Sequence, residues 1–172
     1  PRLLTAHVTY LEMRARPPRH VPMPAKPRLA LMRASNMPVS FYRYLYDAVG
    51  RQHHWLLRRN MEDDALSAVI HAGTTKLSVL YADGSPAGFF ELDNAGLPDR
   101  VELAYFGLTG DHTGMGLGKW FLQAAIDAAW EEHPARVTVH TNTLDHPAAL
   151  SLYQKMGFEP VGSGQEIVTA WE

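Results

Sequence analysis

Residues 112–122, HTGMGLGKWFL, place glycine at three alternate positions, Gly114, Gly116 and Gly118, just ahead of Lys119 and bulky apolar residues. Glycine weakens helix and strand alike, so such a cluster marks a turn or a backbone that something approaches closely. Amides at a helix start lack intrahelical acceptors and carry the positive end of the helix dipole, an arrangement that suits an anion. Lys119 would add a positive charge. Two nucleotide signatures fail here. A Walker loop needs glycine where Thr113 stands and Ser or Thr where Trp120 stands. The dinucleotide fingerprint needs unequal gaps between its glycines, and these gaps are equal. The cluster fits either an anion cradle or a plain strand-to-helix turn.

Other reactive side chains are scattered. The nine histidines show no ligand spacing for a metal. His53 and His54 are adjacent and point apart, and His140 and His146 lie on different elements, so each reads as a surface or satisfied histidine. With no cysteine, disulfides, thiolate metal sites and a cysteine nucleophile are excluded.

The elements that must carry these residues emerge from periodicity. LLTAHVTYLEM (3–13) and LALMRA (29–34) read as strands. Between them, residues 14–28 hold five prolines and five Lys or Arg and no acid, an extended connection rather than a helix. SFYRYLYDAVG (40–50) reads as a helix capped by Ser40 and stopped by Gly50, burying Phe41, Leu45, Ala48 and Val49. A second helix runs from Asp63 or Asp64 to His71. Tyr42, Tyr46 and Trp55 are at a spacing expected of core aromatics. KLSVLYADG, GFFELDN and RVELAYFGL then form an antiparallel meander with DG and NAG turns. Helix 120–133, strand 136–141, helix 146–157 and the strand-like FEPVG and QEIVTAW complete a mixed α/β order.

At 172 residues and 46% apolar composition, one domain with a sizeable core is expected over the whole chain. The formal charge of −2 gives no reason to expect nucleic acid as a partner. No apolar run approaches the ~20 residues of a membrane span. No signal-peptide pattern opens the chain at Pro1, and a cytoplasmic location is the default expectation.

Two motifs then stand in order. TGMGLG (Thr113–Gly118) fits Arg/Gln-x-x-Gly-x-Gly/Ala opening a helix after a strand, except at Thr113. LYQKMGF (Leu152–Phe158), preceded by HPAAL, fits a helix ending in Leu-Tyr-x-x-x-Gly-Phe. Separated by a helix and a strand, they make the chain resemble the GNAT superfamily of N-acetyltransferases, over about residues 65–172. The resemblance implies an α/β fold of the α+β type, with a mixed, largely antiparallel sheet splayed at its middle strand and flanked by helices. It also implies acetyl-CoA as co-substrate, no metal, a primary amine as acceptor, and the homodimer common among relatives. Under it, the pantetheine arm pairs with Phe106, Gly107 and Leu108. The diphosphate rests on the amides from Met115, through Gly116, Leu117 and Gly118, to Lys119, with Thr113 and Gly114 leading into the loop. The thiol points towards Tyr153. Where the family often has asparagine, this chain has His146, so either Asn142 supplies the missing amide or that contact is absent.

Acyl transfer to an amine needs a base, because a lysine-like amine of pKa ~10.4 is neutral in only about one molecule in 2,500 at pH 7. That deficit is worth roughly 4.6 kcal/mol. Glu102 is the expected base, since period-two alternation puts Glu102, Ala104, Phe106 and Leu108 on one face. A solvent-facing strand glutamate is the alternative reading. Tyr153 is the expected acid, hydrogen-bonding the departing sulfur, and the Phe106 amide is the expected oxyanion donor. A CoA-binding domain without turnover is the alternative function.

Overall fold

The alternation in LLTAHVTYLEM produces an eleven-residue strand, β1 (Leu3–Met13), that buries Ala6, Val8, Leu11 and Met13. A computed structural model describes residues 1–18 and 20–171, so Arg19 of the proline-rich connection lies outside the described residues. The chain continues through β2 (Leu29–Ala34), α1 (Val39–Gly50), α2 (Asp63–Ile70), β3 (Thr75–Ala82), β4 (Ser85–Asp93) and β5 (Arg100–Leu108). It ends with α3 (Gly118–Trp130), β6 (Arg136–Asn142), α4 (Ala149–Lys155) and β7 (Glu159–Thr169). One seven-stranded sheet has the order β2-β3-β4-β5-β6-β1-β7. Among the described residues, only the β5–β6 pairing is parallel. The class is thus α/β with a mixed sheet flanked by helices, as expected.

Several local expectations are corrected. Pro38 precedes α1, and Ser40 makes no capping bond because it already lies inside the helix. The buried face of α1 is Tyr42, Leu45, Tyr46 and Val49, while Phe41 and Ala48 stay half-exposed. Helix α3 starts at Gly118 and stops at Trp130, and α4 starts only at Ala149, leaving Pro147 outside. FEPVG and QEIVTAW are one strand, β7. The flat ring of Tyr10 on β1 covers Gly162 and Gly164, whose missing Cβ atoms would sit 3.7 and 3.8 Å from it.

Two cores lie on opposite faces of the sheet, and adjacent Phe89 and Phe90 divide between them. Helices α1 and α2 cover the Phe89 face, and α3 and α4 cover the Phe90 face. The proline-rich connection crosses the second face. Arg16 pairs with Asp127 of α3 at 2.9 Å, and Val21 packs on that core.

Strand β5 departs from a regular sheet in two ways. Its parallel pairing with β6 covers only Arg100–Glu102 against Arg136–Thr138. Beyond that, β5 stays with β4 to Leu108 and β6 stays with β1 to Asn142, so a wedge opens in the sheet. A bulge also interrupts the β4–β5 ladder, with Glu91 opposite Tyr105 but Leu92 opposite Leu103, which makes Ala104 the extra residue. The bulge overturns the expected common face. Val101, Leu103, Phe106 and Leu108 pack on the α3 side, and Tyr105 packs on the α1 side. Glu102 alternates with Val101 and Leu103, so it shares the face of Tyr105, not of Phe106.

Candidate active site in the sheet wedge

The wedge holds a cavity of about 640 Å³. Its walls are β5 from Leu103 to Leu108, the glycine loop, the open end of β6 with the loop after it, Leu152 and Tyr153 of α4, and Glu166–Thr169 of β7. Residues His53–Leu57, between α1 and α2, complete it.

Of the residues expected from the sequence, Phe106, Gly107, Leu108, Thr113, Gly114, Gly116, Leu117, Gly118, Asn142, His146 and Tyr153 all line this one cavity. Met115, Lys119 and Glu102 do not contribute to its lining. Met115 turns an exposed side chain towards a separate depression beside Tyr44 and His112, and the Lys119 side chain is exposed.

The loop is shaped by Gly114 and Gly116, at φ +78° and +77°, in the left-handed region that glycine adopts freely. Fully buried Leu117 anchors it between them and the helix. The first helical bond runs from Phe121 N–H to Leu117 O. Among the described residues, no acceptor within the protein engages the amides of Gly114 to Lys119. The Thr113 hydroxyl donates to Gly110 O at 3.1 Å, so its proton is spent inside the loop.

The ladder phase sets what β5 offers the wedge. Thr109 N–H donates to Ala87 O at 2.8 Å. By alternation, Gly107 and Tyr105 bond to β4, and the main-chain groups of Phe106 and Leu108 face the wedge.

Tyr153 packs edge-on to Phe106 and Phe158, at centroid distances of 6.5 and 5.7 Å. Its hydroxyl has no hydrogen-bond partner among the described residues. Burial, reinforced by the Asp145 carboxylate, holds that hydroxyl well above the usual tyrosine value. It stays protonated at any physiological pH.

Loop 142–148 is tied down by its own polar groups. The Asp145 carboxylate accepts from Thr141 Oγ1 at 2.6 Å, Asn142 N–H at 3.0 Å and Trp55 Nε1 at 3.3 Å. Asn142 gives Nδ2 to Glu166 at 3.0 Å, and its Oδ1 accepts from Leu144 N–H at 2.8 Å. His146 accepts from Ala148 N–H through Nδ1 at 3.1 Å, which leaves Nε2 as the protonated nitrogen when the ring is neutral.

Tyr46, Trp55 and Tyr105 form an aromatic wall with centroids 5.0–5.4 Å apart. Tyr46 and Trp55 therefore serve as packing and as lining at once. Behind the wall, Glu91 accepts from the Tyr42 hydroxyl at 2.6 Å and from Arg58 Nη2 at 2.8 Å. The sequence singles out neither Asp145 nor this Glu91–Arg58 pair. A glutamate inside the apolar run GFFELD is the one available signal.

Burial raises Tyr42, Tyr46, Tyr105 and Tyr153 above 10.0. Their contribution to stability is complete below that pH and is lost above it, where the unfolded chain ionises and the folded one resists. Urea titrations are expected to show unfolding free energy falling between about pH 10 and 11.5.

The family model for the acetyltransferase (GNAT) domain matches residues 46–170. The chain belongs to the GNAT acetyltransferase family. No curated protein sequence matches this GNAT chain. Among solved structures, it is similar to a GCN5-related N-acetyltransferase from Sphaerobacter thermophilus, with a TM-score of 0.64 and 12% identity, over 97% of this chain and 53% of that one. A GCN5-related N-acetyltransferase from Kribbella flavida gives a TM-score of 0.59 and 17% identity, over 94% and 56%. An aminoglycoside acetyltransferase from an uncultured soil metagenomic sample gives 0.60 and 13%, over 74% and 86%. This GNAT protein thus spans just over half the length of the first two. At such identities the likeness is one of fold. Among the described residues, no helix is long and apolar enough to cross a membrane, and no cluster of His, Asp and Glu could hold a metal.

Proposed function

We propose that this GNAT protein is an N-acetyltransferase that moves the acetyl group of acetyl-CoA to a primary amine by direct attack in a ternary complex. The observation that carries the reading is one cavity lined both by Gly114, Gly116, Leu117 and Gly118, whose amides no acceptor among the described residues engages, and by Tyr153, whose hydroxyl has no partner among them. Acetyl-CoA suits this cavity: the amides match a diphosphate, and the wedge-facing groups of Phe106 and Leu108 match the amides of a pantetheine arm. The co-substrate supplies an activated acyl group as a thioester.

The protein's own groups do the rest. Splaying β5 from β6 frees main-chain donors that a continuous sheet would consume. The Phe106 N–H is positioned to hold a developing oxyanion, and fixed donors of this kind need no reorganisation during reaction. The Tyr153 hydroxyl offers a hydrogen bond to the departing sulfur. Full transfer of its proton is already uphill by ~1.5 units for ordinary tyrosine and thiol, and burial makes it steeper, so donation without ionisation is the role left.

Thiol release from acetyl-CoA across a panel of amines tests the reading; tight CoA binding with no release for any amine would overturn it. The cradle has its own test. Gly116→Val puts a β-branched residue at φ +77° and a side chain over the amides. Calorimetric CoA affinity is expected to fall by about 100-fold, the loss of two charge-assisted hydrogen bonds at ~1.5 kcal/mol each.

A further inference from the structure

The transferase reading needs a proton acceptor beside the amine, and Glu102 does not line the cavity, whereas His53 does. We infer that His53 is that acceptor, taking the amine proton on Nε2. The inference rests on the transferase reading and names a residue that, from the sequence, reads as a surface or satisfied histidine.

The geometry fixes the form of the ring. His53 Nδ1 lies 3.1 Å from Leu144 O. A carbonyl only accepts, so Nδ1 carries a hydrogen, and in the neutral ring Nε2 keeps its lone pair. No group among the described residues occupies Nε2. Adjacent His54 is held the other way: its Nδ1 accepts from Trp171 N–H at 3.0 Å, so a neutral His54 carries its proton on Nε2. Of the two neighbours, only His53 has an unengaged lone pair.

The ring also sits at the acceptor end of the cavity. Its centroid is 6.3 Å from that of Trp55. The far edge of Trp55 reaches 3.9 Å from where a Cβ on Gly107 would be. His53, Trp55 and Gly107 are thus successive neighbours leading to the part of β5 that faces the acyl group in the proposed complex. Leu144 O and Asp145, both on loop 142–148, tie the His53–Trp55 segment from two sides.

Burial pulls the imidazole below its usual 6.5, with His146 and His54 adding to the effect, against the Leu144 carbonyl and Asp145, which oppose it. Other titratable groups on the cavity wall are Tyr46, Tyr105 and Tyr153, which burial keeps protonated, together with His140 and Glu166. The acceptor is therefore neutral at pH 7. In the reaction, the nitrogen lone pair of the amine forms the C–N bond and the carbonyl π pair moves to oxygen. The N–H proton passes to His53 Nε2, and the carbonyl re-forms as the C–S bond breaks. Sulfur leaves with its electron pair, hydrogen-bonded by Tyr153, and is protonated by the imidazolium or through solvent.

Long-range ¹H–¹⁵N spectra of the free protein should show His53 protonated on Nδ1 and titrating below 6.5. A ring protonated on Nε2, or charged at pH 7, would overturn the inference. In turnover, kcat/KM should fall on the acid side through the same midpoint, because protonation removes the acceptor. His53→Gln should lower kcat by about 10²–10⁴-fold and abolish that limb, with acetyl-CoA affinity within about twofold of wild type. Melting curves check that the variant folds, and added imidazole should partly restore His53→Ala. An active wild type with the limb intact in His53→Gln and lost in Glu102→Gln would sink the inference alone. A wild type that acetylates no amine would sink the transferase reading and this inference with it.

Discussion

Glu91→Ala is expected to cost about 3–5 kcal/mol of folding free energy, the range for removing one partner of a buried ion pair. The Glu91 side chain is 2% exposed and that of Arg58 16%, so neither charge can recover its hydration in place. Arg58 is already short of a partner at Nε. Losing the carboxylate leaves the guanidinium with the Met61 sulfur, 3.9 Å from Nη1, and the Tyr105 ring, whose centroid lies 5.4 Å away, and it orphans the Tyr42 hydroxyl. The damage should extend to the cavity, because the Arg58 N–H also holds the Tyr46 hydroxyl of the aromatic wall. Chemical denaturation measures the loss. The paired change Glu91→Leu with Arg58→Met should recover much of it, since both desolvated charges then go together. A loss below about 1 kcal/mol for Glu91→Ala would show that water reaches the pair.

Tyr153→Phe is expected to lower kcat by about 10²-fold while leaving acetyl-CoA affinity unchanged. The substitution keeps the ring that packs against Phe106 and Phe158 and deletes one oxygen with no partner among the described residues. Stability should therefore shift by less than about 0.5 kcal/mol, and a kinetic loss cannot be blamed on unfolding. Steady-state kinetics with calorimetric CoA binding separates the two effects. Wild-type rate in the variant would mean that the departing sulfur needs no hydrogen bond from α4.

Much of this fold is legible in the sequence because its signals are local. The DG pair marks the β3–β4 hairpin, where Asp83 and Gly84 both take positive φ. The TGMGLG and LYQKMGF runs each carry their own turn and helix boundary. What escapes depends on contacts distant in sequence. Nothing in LLTAHVTYLEM says that it inserts between β6 and β7. The glycines of β7 read as a break because Tyr10, which covers them, is about 150 positions away. Strict alternation gives Glu102 the wrong face because a bulge adds one residue to the ladder without marking the sequence, and one residue reverses every side chain beyond it. His53 and Asp145 escape because a base is made by what surrounds it, here a carbonyl 91 residues away.

The parallel pairing of β5 with β6 spans just three residues of each strand. Past it the sheet is two leaves, β2-β3-β4-β5 and β6-β1-β7, spanned near their open ends by the bonds from His53 and Trp55 to loop 142–148. A molecule lodged between the leaves works as a strut as much as a reactant. Filling the gap should slow amide hydrogen exchange along β6 and in loop 142–148, on strands that carry neither the cradle nor the reacting centre.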